Sequence, residues 1–334
     1  MEINIWSSIT VMPQDLLRTQ ISWLAHDLDK TINAQINFDK FKQVALTESQ
    51  KLKESLKEWE SRNFLDDELI LWAKSVIFDY EIILRERKEY NTISIDFSEF
   101  SPEMVLKLIK TRRSIRRWEK KPLTREIIHM LIEAGQWAPS ACNRQSCRYI
   151  VLEDDSQKQL LVNLREEWLK YAPVLIFIGT DKRNYLPIEY SYVPYMDASM
   201  AAQNILLMAH ALGLGATIIK TSTWDMIDGR SLNYSTKLID MYEGLNIPSY
   251  FIPVAIIAVG YPARIPKEPK RLPIDSIMHY NKYRVNKDMQ NDLKFQELLM
   301  SANVNSGNSG NINSISTKKL IKIVIKRIIN KFVG

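Results

Sequence analysis

Cysteine is nearly absent from this chain of 334 residues: Cys142 and Cys147 are the only two. Two thiols five positions apart exclude a disulfide scaffold, and their spacing matches neither a redox C-x-x-C pair nor a zinc framework. Histidine is scarce as well, and His26, His129, His210 and His279 form no metal-binding spacing such as H-E-x-x-H. No G-x-G-x-x-G follows a strand and no G-x-x-x-x-G-K-S/T occurs, which removes the common glycine-rich phosphate loops. No run of about 18 apolar residues is uninterrupted, and Met1–Ser8 has neither the basic flank nor the apolar stretch of a secretory signal. A cytoplasmic, reducing location is the expectation.

Charge of one sign is also missing from most of the chain. The net charge is +6, but Lys318, Lys319, Lys322, Lys326, Arg327 and Lys331 carry all of it, and the first 316 residues balance. The body therefore offers no general electrostatic case for nucleic-acid binding, and no nucleic-acid partner is expected. A hydrophobic share of 46% and a charged share of 25% are those of an ordinary folded protein.

The first hundred residues contain no glycine. Apolar positions there recur at steps of three and four, as in Leu69, Trp72, Ala73, Val76, Ile77 and Tyr80, so about Leu16 to Tyr90 reads as helical. The texture changes at Ser101-Pro102-Glu103, where a capping residue, a proline at the first helical position and an acid in the first turn announce a new helix. Beyond it helices (Thr124–Trp137, Tyr195–Leu212) alternate with short apolar strands (Tyr149–Leu152, Val174–Gly179, Val254–Gly260). The pattern is α+β. Residues 1–100 are expected to form a helical extension, 101–300 the main domain, 301–316 a flexible Ser/Asn/Gly linker, and 317–334 a basic amphipathic helix. That tail suits peripheral contact with an anionic membrane, or docking on its own subunit.

Three runs carry chemistry. In Thr111-Arg112-Arg113-Ser114-Ile115-Arg116-Arg117-Trp118, an extended chain puts Arg112, Ser114 and Arg116 on one face. Two guanidinium forks and a hydroxyl suit a phosphate dianion, although a solvated basic surface has the same composition. The loop Ala138-Pro139-Ser140-Ala141-Cys142-Asn143-Arg144-Gln145 precedes a strand, and Asn143 and Gln145 each offer a donor and an acceptor to a flat heterocycle. As isolated residues they also serve as turn formers. From Asp197, a run of small residues ends at Gly213 and Gly215, which suits a buried helix or a subunit contact with a glycine stop.

In order and spacing these runs, with Val259-Gly260-Tyr261-Pro262 and Lys270-Arg271-Leu272-Pro273 after them, resemble the nitroreductase-like FMN-dependent oxidoreductases over about Ser101 to Met278. The resemblance implies a three-layer sandwich, with a mostly antiparallel sheet between helices. It implies a homodimer formed through the 195–212 helix, with flavin sites shared between subunits. It also implies that Arg112, Ser114, Arg116 and Arg271 hold the FMN phosphate, with Arg113 at the ribityl chain or ring. Pro139, Ser140 and Asn143 then reach the isoalloxazine from the opposite subunit, with Gln145 below that loop. Ile218, Ile219 and Lys220 lie against flavin N5, and Lys220 is the one side chain with a possible catalytic part. Two departures stand out: Ser146-Cys147 replaces the usual Pro-Trp, and Lys220-Thr221 replaces an acid or small residue followed by glycine.

The implied activity is ping-pong hydride transfer from NADH or NADPH through flavin N5 to a small organic acceptor. Two alternatives stay open: a flavoprotein dedicated to one biosynthetic metabolite, and a non-catalytic protein that binds anions or nucleic acid.

Overall fold

The computed structural model describes residues 9–33, 38–86, 96–164, 166–221 and 232–283. The expected linker 301–316 and tail helix 317–334 lie outside them. The chain divides into two compact units, Met1–Glu268 and Pro269–Gly334.

The helical opening is built from α1 (Gln14–Ile32), α2 (Phe38–Ser61) and α3 (Glu68–Glu86). Leu17, Ile21, Ala25 and Leu28 of α1, Leu52, Leu56 and Trp59 of α2, and Ile70, Ala73, Val76 and Tyr80 of α3 form a core of their own. Their steps of three and four put each set on one helical face, which is the pattern visible in the sequence.

α4 (Pro102–Thr111) starts as expected: Ser101 accepts from the Met104 N–H and Pro102 occupies the first turn, satisfying one donor the helix leaves open. None of its side chains is buried. α5 (Arg125–Gln136) is capped by Thr124. It is followed by the short turn Ala141–Asn143, β1 (Cys147–Leu152), α6 (Asp155–Val162), β2 (Val174–Asp181), α7 (Val193–Ala211), β3 (Gly215–Lys220), α8 (Leu232–Gly244) and β4 (Phe251–Gly260).

The strands form one antiparallel sheet in the order β1-β2-β4-β3. Period-2 alternation splits the central strands between two cores. Val174, Ile176, Ile178, Ile257 and Val259 face α5 and α7. Leu175, Phe177, Ile256 and Ala258 face α6, α8 and the turn at Glu167–Tyr171. The result is the expected three-layer α+β sandwich. A register shift at Ile178/Gly179 falls where the Phe251 ring comes so close that a Cβ on Gly179 would stand 2.2 Å from it.

Four of the small residues of α7 are core residues. Ala198, Ala201, Ala202 and Ala209 are fully buried within this chain, bringing the helix close to the sheet.

Candidate active site

The arginine run leaves α4 as an extended segment and joins the open edge of β3. Ser114 bridges Ala216 in parallel, the Ile115 N–H donates to the Ala216 carbonyl at 3.1 Å, and Trp118 Nε1 donates to the Gly215 carbonyl at 2.7 Å. Ile115 is buried and packs on Gly215, where a Cβ would come within 2.7 Å of it. Alternation turns Ser114 the other way. This brings Ser114 within two residues of the exposed Ile218 and four of the exposed Lys220, with Ile219 half-buried between them.

The basic side chains differ in what they touch. Arg112 is the C-cap residue of α4, where its backbone N–H donates to the Leu108 carbonyl. Arg113 donates to the carbonyls of Lys110 at 2.5 Å and Arg112 at 2.8 Å, and lies 3.7 Å from Glu268. Those bonds satisfy carbonyls at the helix end, a structural use that the sequence pattern did not suggest. Arg116 is exposed, with its guanidinium 5.7 Å from the centre of the Trp168 ring, a cation–π contact. His210 Nε2 and Thr111 Oγ1 are 2.8 Å apart. Burial, and then the positive charges of Arg112 and Arg113, hold the His210 pKa down. Arg271 is exposed and belongs to the second unit.

The second expected piece, residues 138–145, sits at the far edge of the sheet, in front of β1. Pro139 and Gln145 are exposed there, and Ser140 and Asn143 half-buried. With Cys147, Tyr149 and Asp197 the first three line a cleft of ≈ 350 Å³. The loop backbone is unusual: φ is +52° at Cys142, +50° at Asn143 and +50° at Gln145, a left-handed region that costs a residue with a Cβ roughly 1–2 kcal/mol.

A buried polar network holds this shape. Asp197 at the start of α7 accepts from the Ala141 N–H at 3.0 Å and from Tyr185 Oη at 2.8 Å. Ser146 is fully buried and bonded to both Tyr185 and Asp197. Arg144, 3% exposed, makes two bonds to Glu189 at 2.7 and 3.2 Å. Burial raises the Asp197 pKa, opposed by the Ala141 N–H, Tyr185 and Arg144. Burial also pushes the Cys147 thiol up to about 12, with the Asp197 charge adding to it. The departure at Ser146-Cys147 thus has a local reason: position 146 lies among hydroxyls and a carboxylate, where proline would bring no hydrogen bond.

Arg144, Ser146, Tyr185, Glu189 and Asp197 were not singled out as site residues from sequence. Only the acidic start of the small-residue helix hinted at any of them.

Within one chain the two pieces do not meet. β1 and β3 are the outer strands and the arginine run lies beyond β3, so four interstrand spacings, roughly 19 Å, separate the loop from the run.

A family model described as "Nitroreductase family" matches residues 109–169 and 156–261. A protein of Methanothermobacter thermautotrophicus described as an NADH dehydrogenase/NAD(P)H nitroreductase is 33% identical over 181 residues, which cover 52% of this chain and 85% of that protein. An NADPH-dependent oxidoreductase of Staphylococcus aureus is 29% identical over 209 residues, covering 56% and 77%. A solved nitroreductase from Desulfovibrio desulfuricans, in complex with FMN, is 28% identical with a TM-score of 0.45, covering 55% of this chain and 99% of the other. Given the family match and an identity of 33% across most of the archaeal protein, the chain belongs to the nitroreductase family, a family of oxidoreductases.

Proposed function

We propose that two copies of this chain form an FMN-dependent NAD(P)H oxidoreductase acting on a small organic acceptor. The observation that carries the reading is the sheet order. It puts the phosphate-type arginine run and the loop of Pro139, Ser140, Asn143 and Gln145 at opposite edges, so each flavin would take one piece from each subunit.

The residues fit such a cofactor. Arg112, Ser114 and Arg116 would hold the phosphate, with Arg113 next to them in the chain. Exposed Ile218 and Lys220 at the neighbouring strand would give a flat ring a surface to lie on, with the backbone of Ile219 between them while its side chain packs on the other face of the sheet. FMN would supply the redox chemistry, accepting a hydride at N5 from NADH or NADPH and passing it on in a second half-reaction. Lys220, exposed at the end of β3, would offer a positive charge to the bound ring and stabilise its reduced, anionic form electrostatically. No side-chain acid or base is required, because solvent can exchange the protons.

The dimer has a surface suited to it. Met104, Val105, Leu106 and Ile109 of α4 are exposed, and beside them Leu108, Met130, Trp137, Leu207 and Met208 line an apolar groove between α4, α5 and α7. Trp137 is 80% exposed. An apolar face of this kind is unusual on a monomer and is a common mark of an interface. The 195–212 segment would thus contribute its outer face, while its small residues serve the core.

Among the described residues no helix is long and apolar enough to cross a membrane. The free thiols of Cys142 and Cys147 suit a reducing compartment.

Absorbance of the purified protein, FMN release on denaturation, and flavin bleaching by NADH or NADPH test the reading. A colourless protein that cannot be loaded with FMN would sink it in favour of an anion-binding role. A yellow protein that neither nicotinamide reduces would point to the metabolite-specific alternative, which the added helical unit beside the loop favours.

A further inference from the structure

The helices α1 to α3 lie outside the residues matched by the family model, yet α1 touches the catalytic part at a defined place. Ser22, fully buried on α1, donates from Oγ to the backbone carbonyl of Asn143 at 2.7 Å and lies 3.4 Å from its Nδ2, which donates back. The next residue along each segment adds a second contact: the Arg144 guanidinium stands 4.5 Å from the centre of the Trp23 ring. Asp15, two turns earlier on α1, pairs with Arg183 at 2.5 Å, and Arg183 in turn binds Asp181 at the end of β2. Residues 15, 22 and 23 are spaced to share one face of the helix.

The loop they grip cannot hold its shape by local preference. Residues 138–146 contain no glycine, while Cys142, Asn143 and Gln145 are all left-handed, a conformation asparagine tolerates but cysteine and glutamine disfavour. Contacts from outside must select it. Asp197 supplies some from beneath, through the Ala141 N–H. The carbonyl of Asn143, at the centre of the left-handed stretch, is taken by Ser22.

We propose that α1 is a built-in clamp on this loop. Ser22, with Trp23 beside it, is a positioning residue that fixes Asn143 and keeps the loop shaped for the flavin ring before any cofactor arrives. The clamp rests on the FMN reading of the site for its consequence, though not for its geometry. It gives the helical unit a part in cofactor affinity: the loop's left-handed conformation is selected in advance, so binding loses less free energy to ordering.

Ser22→Ala removes the hydroxyl and adds no volume. The control is Ser55→Ala, which deletes another buried hydroxyl from the same helical unit, one that donates to the Lys51 carbonyl within α2. Hydrogen exchange is read at the amides of Asn143, Arg144 and Gln145, which bond to Ser140 and Ala141, and the FMN dissociation constant is measured by fluorescence titration. Ser22→Ala should speed exchange at those three amides about fivefold and weaken FMN by a similar factor, the effect of one lost hydrogen bond. Ser55→Ala should leave both at the wild-type level. Unchanged exchange in Ser22→Ala, or equal changes in both variants, overturns the clamp. A wild-type protein that takes up no FMN overturns the cofactor reading instead, and the exchange data still show whether Ser22 holds the loop.

Discussion

The backbone N–H of Ile115 donates to the carbonyl of Ala216 at 3.1 Å, and this bond, with that from Trp118 Nε1 to the Gly215 carbonyl, ties the arginine run to the strand expected beneath the flavin. The tie depends on Gly215, because any larger residue there would collide with the Ile115 side chain. Gly215→Ala should lower stability by about 1–3 kcal/mol, the usual range for overpacking, and weaken FMN binding with it. Urea unfolding and a flavin titration measure the two. Full stability with full affinity would show that the segment is not held by this contact.

Arg112→Gln separates phosphate binding from ring binding. A charge-assisted hydrogen bond contributes about 1.5–3 kcal/mol, so FMN should bind roughly 10- to 100-fold more weakly. Riboflavin, which has no phosphate, should bind the variant and the wild type equally. Equal losses for the two ligands would remove Arg112 from the phosphate site.

The exposed apolar face of α4 makes a separate prediction about assembly. Ile109→Glu puts a charge on a face where no side chain is buried within the subunit, so the fold should survive while association fails. Sedimentation velocity should report a monomer. Because each flavin is proposed to take contacts from both subunits, that monomer should also lose its yellow colour; a monomer that keeps FMN would contradict the shared site.

The Cys147 thiol titrates from an ordinary value of 9.0 to about 12 in the folded protein. An acid whose folded pKa is raised contributes stability that is fully present below pH 9 and lost as pH rises towards 12, because the unfolded chain releases the proton first. The protein should therefore lose stability between about pH 9 and pH 12. Cys147→Ala should flatten that slope, whereas a slope unchanged by the substitution would assign the loss to other groups. At neutral pH the half-buried, protonated thiol should react slowly with iodoacetamide.

Part of this architecture was legible because it follows from neighbours in the chain. The start of α4 shows in Ser101-Pro102-Glu103, and the helical opening in its steps of three and four. β2 and β4 show as continuous apolar runs because they are the central strands, covered on both faces. β1 and β3 are the outer strands, with mixed burial; β3 was not picked out by its apolar pattern, and β1, β2 and β4 extend two, two and three residues beyond the runs read from sequence. Nothing in the arginine run foretold that Arg113 would turn back onto the end of α4.

By itself, the sequence determined the helical opening, the α+β main part, the extended arginine segment and the resemblance to flavin-dependent reductases, because each rests on local periodicity, capping or residue order. Only the tertiary structure decided that the two halves of the proposed flavin site stand at opposite edges of the sheet. It alone brought Asp197 beneath the 138–145 loop and Ser22 onto Asn143, 121 positions away. No periodicity spans such distances; those contacts exist because separate hydrophobic faces had to be buried, and burying them carried the polar groups together.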